Sequence, residues 1–181
     1  MKTYQLPLPE KSIIQDALQR IDYEDTFAMQ VEDHLPVEQM PGLFFKSFPK
    51  WFLMLMGIRE ILGKLIGLKT AHGIDVKNQI QNFKGEVGES IALFHVMGRS
   101  AEELMMGEND SHLDFRLSFF SRPNGGKTEI AATTTVQFNN QVGRIYFLPV
   151  KPIHRLIMPI ILKRMYREWK GRGHTVEPTI G

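Results

Sequence analysis

The feature that most constrains the fold is a pair of alternating segments, 112–121 and 127–138, that flank Asn124-Gly125. This dipeptide favours the positive φ angles of a two-residue type I′ turn, which joins antiparallel strands. A turn centred there puts apolar side chains on one face: Leu113, Phe115, Leu117 and Phe119 with Ile130, Ala132, Thr134 and Val136. The other face is mostly polar, with His112, Asp114, Arg116 and Ser118 opposite Gln137, Thr135, Thr133 and Ala131.

A two-faced antiparallel sheet of this kind needs an apolar cover on one side. Further strands are predicted over 23–31, at a sheet edge, 90–97 and 102–107, and helices over 12–20, from Pro36 to Leu68, and from Pro152 to just before Gly171. The most apolar of these, 51–68 and 152–169, are available as the cover, with 51–68 as a buried helix. The predicted fold class is α+β.

Length and composition indicate one domain over residues 1–181, since domains usually run to roughly 100–200 residues. The 43% apolar and 23% charged residues are typical of a globular protein. The absence of cysteine excludes disulfides, thiolate metal sites and a cysteine nucleophile. A net charge of +2 does not indicate a nucleic-acid-binding protein, and we expect no nucleic-acid partner.

The N-terminal residues lack the apolar stretch of an export signal, which predicts a cytoplasmic location. The segment 51–68 contains Arg59, Glu60 and Lys64, and charged residues are costly at a bilayer centre. We therefore predict no transmembrane segment.

Two motifs suggest metal or nucleotide chemistry and do not hold in context. Residues 121–128 miss the phosphate-binding loop only at its first glycine, but a β-branched run at 133–136 favours a strand where that loop needs a helix. His112, Asp114 and His154 follow the order of a two-histidine, one-carboxylate iron site, a spacing that is common by chance. We predict no metal and no cofactor.

The helix predicted after Pro152 is basic on its second half, through Lys163, Arg164, Arg167 and Lys170. These charges fit a solvated helix end or an anionic partner such as a membrane surface. Its apolar stripe changes sides at Pro159. Either a kink there turns the second half towards the sheet, or that half contacts a second subunit, which leaves a homodimer open.

Several segments also carry a family resemblance: DSHLDFRLS at 110–118, TTTVQFNN at 133–140, GRIYF at 143–147 and PIHRLI at 152–157, with PKW at 49–51 and GIR at 57–59. Over about 23–169 the chain resembles a bacterial family of unassigned function that is grouped with the START and polyketide-cyclase-like helix-grip superfamily. The resemblance implies a curved antiparallel sheet packed around a long C-terminal helix, here with additional N-terminal helices. It also implies a cavity that binds hydrophobic small molecules in many relatives.

Three functions follow as hypotheses. The first is noncatalytic binding or sensing of a hydrophobic small molecule between sheet and C-terminal helix. The second is a cyclase- or hydrolase-like enzyme on a hydrophobic substrate, although the sequence assigns no catalytic residue. The third is an auxiliary module for a membrane surface or an oxidoreductase, because similar domains follow short-chain dehydrogenase-like domains in some longer proteins, which implies a separate dehydrogenase-like partner. The expected ligand-binding residues are Met54, Phe115, Leu117, Tyr146 and His154, with His112, Asp114 and Arg116 only if they face the cavity.

Overall fold

The computed structural model describes the backbone of residues 1–65 and 73–172 and, apart from 58–65, their side chains. The strands are β1 (Tyr4–Gln5), β2 (Tyr23–Val31), β3 (Ser90–Ile91), β4 (Phe94–Arg99), β5 (Glu103–Asn109), β6 (Leu113–Asn124) and β7 (Lys127–Phe138). The helices are α1 (Met40–Lys46), α2 (Lys50–Leu65), α3 (Val76–Asn82) and α4 (Gln141–Gly171), with a 3-10 turn at Val37–Gln39. The α+β prediction is confirmed. The predicted helix end at Leu68 lies outside the described residues.

The seven strands form one curved antiparallel sheet in the order β1-β2-β7-β6-β5-β4-β3. The strand predicted over 23–31 is β2, but it is not at the edge, because β1 pairs with it at Phe27 and Ala28. The strand predicted over 90–97 is divided into β3 and β4 near Ala92, which has a positive φ of 54°.

The hairpin turn lies one residue further along the chain than the sequence analysis places it. Gly125 and Gly126 occupy its centre with φ angles of 60° and 79°, and Asn124 pairs with Lys127. Glycine carries no penalty at positive φ, so the Gly-Gly pair takes both central positions. Opposite partners therefore shift by two residues, and Asp114 faces Gln137 instead of Thr135. A shift of two leaves each side chain on its predicted face.

The main core lies between the apolar face of the sheet and helices α1 and α4. Leu117, Phe119 and Ile130 pack in this core with helix residues from α1 and α4, which include Leu43 and Ile161. All five side chains are at least 96% buried. The face of β6 and β7 predicted to be apolar is therefore the helix-covered face, which we call the inner face.

The opposite, outer face of the sheet is covered by the N-terminal segment. Glu103 is buried there and accepts hydrogen bonds from Ser12 Oγ at 2.7 Å, Ser118 Oγ at 2.5 Å and the amide of Ile13 at 3.0 Å. The helix predicted over 12–20 is wrong. This segment forms isolated turns, because Ser12 and Ile13 are bound to the sheet.

Helix α4 begins eleven residues before the predicted start at Pro152. Its N-cap is Asn140, whose side chain accepts a hydrogen bond from the amide of Gly143 at 3.1 Å. Pro149, Pro152 and Pro159 all lie inside the helix, where each removes one backbone hydrogen bond. Beyond Pro159 the second half packs on the sheet through Ile161, Leu162 and Met165.

The prediction of a buried helix over 51–68 is wrong for the part that the structure describes. Trp51, Leu53, Met54 and Met56 of α2 are 41%, 52%, 64% and 38% exposed. The short helix α1 covers the sheet instead, and the Phe44 ring lies 5.2 Å from that of Phe119. We call these four exposed apolar residues the α2 apolar patch.

A buried charge cluster ties β1 to the hairpin. Glu129, 5% exposed, accepts hydrogen bonds from Arg122 Nη2 at 2.7 Å, from Tyr4 Oη at 2.9 Å and from Asn124 Nδ2 at 3.3 Å. Burial alone raises the pKa of Glu129, but the hydrogen bonds from Arg122 and Tyr4 outweigh it and hold the pKa below its usual range. The cluster therefore stabilises the ionised form of Glu129.

We expect Glu129→Gln to lower the free energy of unfolding by about 2 kcal/mol at neutral pH, because it weakens hydrogen bonds to a charged group. A lowered folded pKa gives stability that is present above the unfolded pKa, about 4.3, and lost as the pH falls through the folded value. The difference in free energy of unfolding between variant and wild type should therefore become smaller in acid, as measured by urea unfolding across pH. The exposed Glu10→Gln is the control. An unchanged difference in acid would contradict this account.

Candidate functional site

One row of side chains across the inner face changes from apolar to polar. In register, the row reads Asp25, Thr134, Leu117, Met106 and Val96 on β2, β7, β6, β5 and β4. The neighbouring row, from Phe27 through Phe119 to Leu104, is wholly apolar. Since side chains directly opposite each other lie about 5 Å apart, Asp25 and Thr134 form a polar patch. Leu117, Met106 and Val96 continue the row as an apolar floor beside this patch.

Helix α4 contributes a histidine to this patch. His154 Nε2 lies 3.1 Å from Asp25 Oδ1, and Tyr23 donates its hydroxyl proton to Asp25 Oδ2. The Asp25 side chain is 4% exposed and that of His154 is 18% exposed. Burial, and then the hydrogen bond and charge of Asp25, raise the pKa of Tyr23 well above its usual range. The Tyr23 hydroxyl therefore stays neutral and acts as a hydrogen-bond donor. Through its contacts with Tyr23 and His154, Asp25 connects β2 to α4.

Thr134 is the member of this patch with an unused hydrogen-bonding group. Its hydroxyl is buried, and among residues 1–57 and 73–172 it has no hydrogen-bond partner. A buried hydroxyl without a partner costs about 1–3 kcal/mol, so its presence in this row calls for an explanation. A buried water or the polar group of a ligand would supply one.

The polar patch lies where two apolar clusters adjoin. The larger cluster is the main core, which includes Leu117. The smaller one contains Tyr23, Val136 and Phe147, with Phe115 and Tyr146 partly buried against it. The first half of α4 covers this smaller cluster and the second half covers the main core. The site thus presents carboxylate, imidazole and hydroxyl groups between two apolar surfaces.

A depression of about 120 Å³ leads from the sheet edge to Asp25. It opens beside the end of β1, and its lining residues are Gln5, Leu6, Leu8, Glu24, Asp25, Thr26 and Arg155. The Tyr23 ring is flanked by two cations, with Lys151 Nζ 5.5 Å and Arg155 Cζ 5.7 Å from its centroid. The depression is open to solvent, and α4 contributes Arg155 to its lining.

Four of the expected ligand-binding residues border this region. His154 is part of the polar patch, Leu117 belongs to the apolar floor, and Phe115 and Tyr146 line the smaller cluster. Met54 is exposed on α2 and packs in neither cluster. The structure therefore groups these four residues and leaves Met54 outside the group.

Asp114 and Arg116 do not meet the condition of facing the helix. They alternate with Phe115 and Leu117 and so project from the outer face. Arg116 is buried there and donates to the carbonyl of Phe115 at 2.8 Å, while burial lowers its pKa. Asp114 accepts from Asn139 Nδ2 at 3.0 Å. Both side chains therefore make structural contacts on the outer face.

His112 precedes β6 and is buried against the start of α4. Its ring centroid lies 5.1 Å from that of Tyr146, and Nδ1 lies 3.5 Å from Asp110 Oδ2. These contacts place His112 at the start of α4.

Sequence reasoning missed Asp25, Tyr23 and Thr134. A usable signal was present in β2, where Asp25 falls in phase with Tyr23, Phe27, Met29 and Val31. A carboxylate in the apolar phase of a strand is buried at a cost unless it is paired, which marks it for attention. Its partner could not be read locally, because His154 is 129 residues away in the chain.

A second, larger depression of about 480 Å³ lies between the ends of α1 and α4. It is lined by Lys46, Ser47, Arg164, Arg167, Glu168, Gly171 and Arg172, and we call it the basic depression. Glu168 is its one acidic group and lies 3.6 Å from Arg172. Among the residues that the structure describes, Lys46, Arg164 and Arg167 form no ion pair.

Helix α4 is long and apolar enough to cross a membrane by length and composition alone, a test that core helices also pass. In the part of the chain with described side chains, no group of three or more histidine, aspartate or glutamate residues could hold a metal ion.

The family described as "Protein of unknown function (DUF2867)" matches residues 17–161, which include Asp25, Thr134 and His154. No curated protein and no solved structure matches the chain.

Proposed function

The chain belongs to the DUF2867 family, whose function is unknown, and we propose that it binds a hydrophobic small molecule carrying a polar group, between the sheet and α4. The observation that carries this proposal is the polar patch of Asp25, His154 and the unsatisfied Thr134 hydroxyl between two apolar clusters. Binding sites for small molecules commonly combine apolar walls with a few placed polar groups. The curved sheet and long α4 also fit the helix-grip fold, which we include in the proposal.

The entry route follows from the prolines of α4. Pro149 and Pro152 lie in the turns of α4 that precede His154, and each removes a hydrogen bond from the helix. Local movement of these turns is therefore less costly than in an unbroken helix. A ligand entering there would meet Asp25 and Thr134 with its polar group and Phe115 and Leu117 with its apolar part.

We expect native mass spectrometry of the purified chain to show a retained small molecule that denaturation releases. Thr134→Val keeps the side-chain shape, removes the hydroxyl, and should reduce the retained fraction about fivefold or more, the effect of losing one hydrogen bond. Leu156→Ala, at an exposed position on α4 two residues from His154, is the matched control and should leave the fraction unchanged. If no molecule is retained, and an anilinonaphthalene sulfonate dye binds wild type and Thr134→Val equally, the proposal fails.

Acid–base catalysis is a second candidate, favoured by the 3.1 Å contact between His154 and Asp25. A carboxylate that holds an imidazole in place is a common arrangement for proton transfer. The retained molecule is the test substrate. Its conversion by wild type, lost in His154→Gln, would identify an enzyme, whereas recovery of the molecule unchanged would identify a binding protein.

A further inference from the structure

The surface formed by α2 and the basic depression carries an inference independent of the polar patch. The α2 apolar patch consists of Trp51, Leu53, Met54 and Met56, all more than a third exposed. Large apolar side chains gathered on the surface mark interaction sites. Phe52, between them, packs against the core and so fixes this turn of α2 on the body of the protein. The patch is therefore held in place and faces outward.

The basic depression lies directly beside this patch along the chain. Ser47 lines the depression, and Trp51 follows four residues later, so their Cα atoms are at most about 14 Å apart. Lys50, the first residue of α2, is exposed between them. Arg164 and Arg167 face the depression from α4 together with Glu168, and among residues 1–57 and 73–172 neither arginine forms an ion pair. Exposed apolar groups of α2 and the cations of the basic depression thus lie near one another along the chain.

We propose that this surface docks on an anionic lipid bilayer, with lipid phosphates in the basic depression and the α2 apolar patch in the headgroup region. Tryptophan is favoured at this depth, and interfacial helices combine an apolar face with flanking cations. An anionic leaflet presents a continuous negative surface to the cations of the basic depression, which include Lys46, Arg164 and Arg167. The volume of about 480 Å³ is ample for a phosphate headgroup.

The test is sedimentation of the full chain with vesicles of phosphatidylcholine alone or with added phosphatidylserine, at low and high salt. We expect binding only to the anionic vesicles, weakened by salt because screening shortens the reach of surface charges. Each cation near an anionic leaflet contributes about fivefold to the partition coefficient. The double variant Arg164→Gln/Arg167→Gln should therefore lower it roughly 20- to 30-fold.

Two further variants separate the contributions. Leu53→Ser/Met54→Ser changes exposed positions, should leave thermal unfolding unaltered, and should also release the protein from vesicles. Lys2→Gln/Lys11→Gln removes the same charge from the exposed N-terminal segment and should retain binding. Equal losses in the two charge variants would show a nonspecific effect and overturn the proposal.

Failure to sediment with anionic vesicles would also overturn the proposal. In that case, stabilisation by inorganic phosphate would identify a free-anion site, and binding of polyglutamate would identify an acidic protein partner. Neither outcome bears on the polar patch, since Thr134 and His154 are unchanged in every variant.

Discussion

Gly143→Ala is expected to lower the free energy of unfolding by about 3 kcal/mol, one of the two largest effects that the structure predicts. A Cβ at this position would lie 2.0 Å from the carbonyl oxygen of His112 and 2.9 Å from its carbonyl carbon. Both are backbone atoms, so no side-chain rotation relieves the overlap. The helix start would have to leave the sheet, which would also weaken the hydrogen bond from the Gly143 amide to Asn140.

Equilibrium urea unfolding measures this effect, and Gly57→Ala is the matched control. Gly57 is an exposed helical glycine with open space around its Cβ position. Alanine there should raise the free energy of unfolding by about 0.5–1 kcal/mol, since it favours the helical backbone. A Gly143→Ala protein as stable as wild type would show that α4 does not approach the sheet as closely as described.

Asp25→Ala should also cost about 3 kcal/mol, because removing one member of a buried polar pair leaves its partners unsatisfied. The Tyr23 hydroxyl and His154 Nε2 would both lose their contact with the carboxylate. His154 is partly exposed, so His154→Ala alone should cost less. The effect is again measured by urea unfolding.

A double-mutant cycle isolates the contact between strand and helix. We expect Asp25→Ala and His154→Ala to be non-additive by about 1–2 kcal/mol, as neighbouring residues in one network usually are. Pairing His154→Ala with Glu129→Gln supplies the control, because those groups belong to separate clusters and their effects should add. Additive effects for Asp25 and His154 would mean that their hydrogen bond contributes nothing to stability.

The sheet could be predicted from sequence because its information is local and periodic. Alternation along β6 and β7 gives the correct faces for Leu117 and Phe119, even though the predicted turn lies one residue before the observed turn. The error is physical: Asn-Gly and Gly-Gly both suit a type I′ turn, so the residue types alone do not fix which of the two overlapping pairs takes the central positions.

The helices were harder to predict, because apolar content alone does not show which apolar segment packs in the core. Segment 51–68 is more apolar than α1, yet α1 fills the core through Leu43 and Phe44. Pro49 lies between the two helices, and Trp51, Leu53, Met54 and Met56 at the start of α2 are exposed. The start of α4 was missed because its prolines read as helix starts or breaks, while Asn140 provides the cap.

Part of the candidate site could be predicted from the sequence. Phe115, Leu117, Tyr146 and His154 lie around it, because α4 covers the inner face of the sheet. Asp25 was not predicted, because its partner comes from α4 at the other end of the chain. Contacts between residues so distant in sequence leave no spacing that can be read.

The position of β2 in the sheet constrains the order in which the chain can fold. Tyr23 pairs with Val136 and Val31 with Thr128, so the partner strand is synthesised only after nearly the whole sheet meander. Strands β4 to β7 pair with sequence neighbours and can form first, whereas β2 must close a long loop. During translation the apolar side chains of Phe27 and Met29 therefore stay exposed until β7 has been synthesised. Over this period the nascent chain can bind chaperones or aggregate.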